Sequence, residues 1–347
     1  MSMQEMPARG GKRKVKGHAQ ARPVISAPRG TIKPHKNFDE EEATSQAKKL
    51  RRALRKPVDM ATVIGILTKY TLEERKYLSD VYNAQYGGCL LDAVQSESNF
   101  SLRETLLALL QWQNQYLADW AHRAMKGLGT NEKALIELFC GRTQAEIQDV
   151  VKTYHRLHGR SLEAALRSEL SGDFLRLFLG LTQLERQQDA VVGDNRAREL
   201  AEELYAAGEA RRGKDADVFV RIFCTTDYAL LRKVFAVYPE VSARGSSIEK
   251  AIRSEFGGDM KAGLLTMAQC ITDQPSYFAE KLYRAMRGLG TDDSTLIRIL
   301  VTRSEIDLEN IKEAYQLRYG KSLAAAVADD TSGEYKKCLL AIIKSWT

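Results

Sequence analysis

Two hexapeptides carry the clearest chemistry in this chain: Met125-Lys126-Gly127-Leu128-Gly129-Thr130 and Met286-Arg287-Gly288-Leu289-Gly290-Thr291. A carboxylate follows each Met at 44 residues, Glu169 in the first case and Asp330 in the second. Paired glycines let a short loop reach backbone angles closed to other residues, so several carbonyl oxygens can be aimed at one point. One acid returning from a distance then supplies a single full charge. Such an oxygen set suits a hard cation such as calcium, which takes six to eight oxygens at about 2.3–2.6 Å. A nucleotide is a poorer match: the loop lacks the Lys-Ser/Thr ending of a phosphate loop, and no strand pattern precedes it.

Other chemistries find little support. The five histidines (His18, His35, His122, His155 and His158) form no metal-binding helical pair with a catalytic Glu, and no Ser or Cys sits in a nucleophile motif. The chain therefore reads as a non-enzyme. Cys89, Cys140, Cys224, Cys270 and Cys338 form no CxxC pair, which fits buried small hydrophobes better than a zinc site or a disulfide framework.

The elements that must hold these loops are helices. Residues 43–55, 61–70, 72–86 and 102–112 carry apolar side chains at three- and four-residue spacing, and no sustained alternation suggests a sheet. Thr71-Leu72-Glu73-Glu74 and Thr143-Gln144-Ala145-Glu146 are capping boxes by sequence. Thr130 and Thr291 read as helix N-caps, and Glu132 or Asp293 as helpers of a weaker neighbouring cation site. The loops belong to a repeat: Arg142-Thr143-Gln144 matches Arg303-Ser304-Glu305, Gly159-Arg160-Ser161-Leu162 matches Gly320-Lys321-Ser322-Leu323, and Ser171-Gly172-Asp173-Phe174 matches Ser332-Gly333-Glu334-Tyr335. Weaker copies run through Gly208–Asp259 and Val63–Glu97, so four units of about 70–80 residues fill everything after the N-terminal tail.

Charge is unevenly placed. Of 52 Lys and Arg, nine lie in residues 1–37, with Glu5 the one acid there; the other 310 residues hold 43 basic against 44 acidic groups. The net charge of +7 is thus a property of the tail. The tail, with Pro7, Gly10-Gly11, Pro23, Pro28 and Pro34 and few large apolar residues, is expected to be disordered. Its Lys12-Arg13-Lys14-Val15-Lys16 cluster suits an anionic surface, lipid or nucleic acid, or a nuclear address; a solvated tail is the plainer alternative. A neutral body and no interleaved aromatics argue against nucleic acid. Early Pro and Gly make a helix-in-groove protein partner a weak reading. Ser26 and Thr31, near Arg22 and Arg29, are candidate phosphorylation sites. No apolar run of 18 or more residues and no signal-peptide core occur, so a cytoplasmic address with a nuclear pool is the expectation.

Loop, distant acid and four helical units together resemble the annexin family over essentially all of 38–347. The resemblance implies an all-α fold of four repeats, about five helices each, packed as a slightly curved disc: a tail at 1–37, then repeats at 38–112, 113–186, 187–273 and 274–347. It implies calcium as cofactor and calcium-dependent binding to acidic phospholipid membranes, with a membrane-organising or scaffolding role. It also implies the ligands. The carbonyls of Met125, Gly127 and Gly129 would be closed by Glu169, and those of Met286, Gly288 and Gly290 by Asp330. In the third unit Gly208, Arg211 and Gly213 would be closed by Glu255, with two extra residues expected within 238–247. Arg212 falls where some members expose a Trp to the bilayer.

The first unit departs from the pattern. Leu54-Arg55-Lys56-Pro57-Val58-Asp59 is one residue short and has no glycine, although Glu97 stands at the acid position. That unit is expected to have lost its calcium site, leaving Arg55 and Lys56 as solvated or headgroup-touching cations. Glu137 and Arg298, each inside an apolar run, correspond by the resemblance to residues paired in the family's central hydrophilic channel, and because an unpartnered buried charge is costly they are expected to pair. Arg142 matches a further position of that channel, but Leu117 stands where its acidic partner would be, so a structural polar core between two halves is the better expectation than an ion-conducting role.

Overall fold

The computed structural model describes residues 27–97, 99–127, 129–187, 193–288 and 290–344. Among them there is no strand, and nineteen helices account for the fold. The first set is α1 (Glu40–Ala53), α2 (Met60–Leu67), α3 (Leu72–Tyr86), α4 (Leu90–Gln95) and α5 (Phe100–Leu110). The second is α6 (Gln113–Met125), α7 (Glu132–Phe139), α8 (Gln144–His158), α9 (Leu162–Glu169) and α10 (Gly172–Gln183). There follow α11 (Asp194–Ala207), α12 (Ala216–Thr225), α13 (Tyr228–Val241), α14 (Ile248–Glu255) and the long α15 (Gly258–Ala285). The last are α16 (Asp293–Arg303), α17 (Leu308–Tyr319), α18 (Leu323–Asp330) and α19 (Gly333–Ile343).

The long helix is two helices joined by a kink. Asp273 has φ −154° and ψ 80°, outside the helical region, and Pro275 follows it. The Asp273 carboxylate accepts from the Ser276 N–H at 3.1 Å, so Asp273 caps the start of the second half, and Pro275 lies in that half's first turn, where its missing N–H costs no helical bond. Counted that way, the chain repeats a five-helix set four times. In each set the first and third helices lie along one another: α1 with α3, α6 with α8, α11 with α13, and the second half of α15 with α17.

Two apolar cores organise the sets. One joins the second and third sets, with Leu135, Phe178, Phe219 and Phe223 fully buried; the other joins the first and fourth, with Leu50, Leu67, Leu300 and Leu339 at its centre. Between them lies a polar seam. Arg298 Nε donates to Glu137 Oε1 at 2.7 Å with the two side chains 4% and 6% exposed, and the guanidinium lies 5.0 Å from the Trp120 ring centre. The expected pair is therefore present. Arg142 is buried and donates to Glu146 (3.2 Å) and Thr302 (3.4 Å), while Leu117 is packed in the apolar core. Both expected capping boxes form, at Thr71/Glu74 and Thr143/Glu146.

Disorder over the whole of 1–37 does not hold for residues 27–37, which form a strap between the fourth and first sets; residues 1–26 lie outside the described residues. Thr31 and Ile32 donate their N–H groups to Ser304 O, and the Thr31 hydroxyl donates to Ile342 O at 2.7 Å. Arg29 pairs with Glu313, and the His35 N–H donates to Glu74. Composition read this segment as too polar to bury, but it needs only one large apolar anchor, Ile32, which is 1% exposed. Thr31 is fully buried, which removes it as a phosphorylation site in this fold; Ser26 lies outside the described residues.

Candidate calcium and membrane face

Each set crosses from its first to its second helix through a loop closed by the same backbone hydrogen bond. The N–H of the second helix's N-cap donates to an alanine carbonyl at the end of the first helix, at 2.8 Å in every case. The pairs are Asp59 to Ala53, Asn131 to Ala124, Asp215 to Ala207 and Asp292 to Ala285. The closed spans are therefore six, seven, eight and seven residues in chain order. The first loop is the short one, as its sequence indicated, and the third is the longest.

In the second and fourth loops the paired glycines take the unusual angles the sequence required: φ is 115° and 85° at Gly127 and Gly129, and 124° and 86° at Gly288 and Gly290. A side chain at these positions would meet open space, so backbone conformation rather than crowding demands glycine there. Thr130 and Thr291 are not the N-caps. Asn131 and Asp292 cap α7 and α16, having the carboxamide or carboxylate reach to accept from the N–H three residues on. The threonine hydroxyls turn the other way, to the distant acids: Thr130 Oγ1 donates to Glu169 Oε2 at 3.2 Å, and Thr291 Oγ1 to Asp330 Oδ2 at 2.6 Å. Loop and acid, about forty residues apart in sequence, thus meet in both sets.

The third loop reaches the same arrangement differently. Gly213 has φ 76°, and a methyl group on Gly208 would stand 3.4 Å from Glu255 Cγ and 3.3 Å from the Phe219 ring, so the loop lies against the stem of the expected acid. The Gly208 carbonyl accepts from Arg211 N–H at 3.1 Å, and Glu209 accepts from Tyr238 and Ser242, tying the longer loop to α13. Arg211 and Arg212 are exposed. The two extra residues fall where expected. α13 ends in extended backbone at Ser242 before the Ser247 cap, whereas α8 and α17 end in left-handed Gly159 and Gly320.

The first loop makes none of this geometry. No residue of 54–59 has positive φ, and Asp59 spends its carboxylate on Thr62, whose hydroxyl and N–H hold it below the usual range. Glu97 Oε1 accepts from Asn99 N–H at 2.8 Å, within its own turn. Asp293 is also engaged, accepting from Ser101 Oγ at 2.7 Å. That bond sets the start of α5 beside the fourth loop. The equivalent contacts, Lys214 with Asp173 and Arg176 with Asp217, set the start of α10 beside the third loop.

Among the described residues no group of three or more His, Cys, Asp or Glu could hold a metal. A cation on this face would draw most of its ligands from backbone oxygen, which is the donor set the glycine angles make available. The residues present fit calcium on that count, and a site of this kind completes its coordination with water or with a phosphate oxygen.

A tandem array of four five-helix sets, two of whose glycine loops are brought to a distant acid, defines a class of helical repeat protein, and comparison with known proteins specifies which. The annexin family model matches residues 116–181, 199–267 and 277–342. Mouse annexin A13 is 40% identical over 310 residues, covering 89% of this chain and 96% of that protein. Annexin A1 of Cavia cutleri is 40% identical over 316 residues, 91% of this chain and 90% of its own. Among solved structures, annexin III superposes with a TM-score of 0.87 at 34% identity, covering 92% of this chain and 99% of that one. Calcium-bound annexin (Sm)1 gives 0.81 at 32%, covering 91% and 93%. The chain belongs to the annexin family, whose members bind calcium and, with it, phospholipid membranes. The three matched blocks correspond to the second, third and fourth helical sets; the first set, with its short loop, lies outside them.

Proposed function

We propose that this protein docks on acidic phospholipid through three calcium sites, in repeats spanning 113–186, 187–273 and 274–347, while the repeat at 38–112 holds none. Calcium in the second repeat is held by the carbonyls of Met125, Gly127 and Gly129 and by Glu169. In the fourth it is held by Met286, Gly288, Gly290 and Asp330, and in the third by Gly208, Arg211, Gly213 and Glu255. The observation that carries this reading is the reach of Thr130 and Thr291 to Glu169 and Asp330, which brings each loop to its acid. One full charge per site makes binding weak without lipid. A phosphate oxygen completing the shell then makes calcium and membrane strengthen one another by linkage. The repeat boundary at 273/274 is supported by the break at Asp273. No described helix is long and apolar enough to cross a membrane.

The test is co-sedimentation with phosphatidylserine vesicles across a calcium titration. Glu169→Gln with Asp330→Asn should raise the calcium midpoint at least tenfold; wild-type binding at limiting calcium would overturn the assignment. Deleting residues 1–26 should leave the calcium dependence in place. Calcium-independent pelleting that vanishes with that deletion would instead assign binding to the basic tail.

A further inference from the structure

The first repeat has not only lost its calcium loop; it has put apolar side chains where the loop chemistry was. Registered on the closing hydrogen bond, Val58 occupies the place of Thr130 and Thr291, whose hydroxyls reach the acids. Registered on the acid position, Phe100 occupies the place of Gly172, Gly258 and Gly333, each three residues after its acid and each with φ between 53° and 62°. Both substitutes are exposed, Val58 by 44% and Phe100 by 63%. An isopropyl group cannot donate to a carboxylate, and a phenyl ring held in water costs solvation that only an apolar surrounding recovers.

Cations flank each of the two. Arg55 and Lys56 are exposed beside Val58, and the Arg103 guanidinium lies 5.2 Å from the Phe100 ring centre, held by the Glu97 carbonyl at 3.2 Å. The nearby acids are already engaged: Asp59 by Thr62, and Glu97 by Asn99. The patch is also continuous with the calcium face. Ser101, next to Phe100, is bonded to Asp293 at the fourth loop, and Glu104, one turn further along α5, pairs with Arg123, two residues before the second loop's Met125.

We propose that the first repeat meets the membrane without calcium, by seating Val58 and Phe100 among lipid headgroups while Arg55, Lys56 and Arg103 meet the phosphates of an anionic phospholipid surface. The apolar pair supplies area removed from water, and the arginine and lysine stems lie along that surface with their charges at headgroup level. This inference rests on the calcium face proposed above, which brings the patch to the bilayer.

The experiment uses the full chain and phosphatidylserine/phosphatidylcholine vesicles at saturating calcium. Phe100→Trp should add an emission component, over the wild-type tryptophan background, that shifts to the blue on binding and is quenched by lipids brominated near the headgroup end of the acyl chain. Val58→Ser with Phe100→Ser should weaken vesicle affinity by about tenfold, with the helical circular dichroism unchanged because both sites are exposed. The inference alone is overturned if the wild type binds with calcium, the component added by Phe100→Trp stays unquenched, and the double-serine variant titrates like wild type. Failure of the wild type to bind with calcium would overturn the calcium face and this inference with it.

Discussion

Replacing Glu137 by Ala should be among the most costly single changes in the molecule. The carboxylate sits 2.7 Å from Arg298 Nε, and neither side chain is more than 6% exposed. At an effective dielectric near 20, two charges at that separation attract by roughly 6 kcal/mol, most of it offset by the cost of taking both out of water. Removing only the acid leaves the desolvation of Arg298 in place. What remains for it is a 3.1 Å bond to Thr295 and the face of Trp120, neither of which carries a compensating charge. The expected loss is about 3–5 kcal/mol. Glu137 and Arg298 sit on α7 and α16, which belong to different cores, so the loss should also loosen the joint between the two halves. Urea unfolding followed by circular dichroism measures it: the midpoint falls, and the single transition broadens as the cores separate. Glu137→Met with Arg298→Met should lie within about 1–2 kcal/mol of wild type, because an apolar pair of similar volume carries no buried charge. A single Glu137→Ala variant costing under about 1 kcal/mol would refute the view that this seam is a desolvated pair.

Two further outcomes concern the strap. A side chain at Gly30 would stand 2.6 Å from the Ser304 carbonyl oxygen and the Glu305 backbone, which cannot give way as a flexible side chain can. Gly30→Val should therefore unseat residues 27–37 at a cost of roughly 1–3 kcal/mol, read as new protease cleavage in that segment with the remaining helices intact. Burial alone would raise the Glu74 carboxyl, but donation from the His35 and Thr71 backbone N–H groups holds it below its ordinary value of 4.5. A carboxylate depressed in the fold stabilises it fully above the unfolded value and ceases to as pH falls through the folded one. Hydrogen exchange of the strap amides should accordingly quicken below about pH 4.5. Glu74→Gln should exchange quickly already at neutral pH and lose that step; an unchanged acid step in the variant would assign it elsewhere.

Much of this was legible in the sequence because periodicity and loop chemistry are local. The helices, the capping boxes and the two glycine loops depend on residues within a few positions of one another, and the internal repeat fixed how the distant acids align. The buried pair was legible for a different reason: a charge inside an apolar run demands a partner, and the resemblance singled out Arg298 rather than Arg221, which stands at the equivalent place in the third repeat and pairs with Glu203 instead. What escaped was decided across elements. Thr130 and Thr291 have the right type for N-caps, but the residue after each is a better cap, which frees the hydroxyl for the carboxylate. The strap escaped because composition averages over 37 residues, whereas its order rests on Ile32 and a few backbone bonds supplied by α16, α17 and α19. Phe100 escaped because its meaning lies in what the other three repeats place there.

In the proposed assignment an acid at the right spacing is insufficient for a calcium site. Glu97 is as well placed in sequence as Glu169, yet the loop that should face it spans six residues instead of seven and contains no residue of positive φ. Calcium needs most of its oxygens from the backbone here, so the loop's conformation, more than the acid's identity, decides whether the site exists. The third loop tests that statement from the other side. It is one residue longer than the second and fourth, lacks their paired glycines, and still lies against its acid, because Gly208 has no side chain between it and Glu255 and Glu209 anchors the extra length to α13. Length can therefore be gained at this position when the added residue is tied down, whereas one residue lost, with no glycine to turn the carbonyls, leaves Glu97 to bond within its own turn.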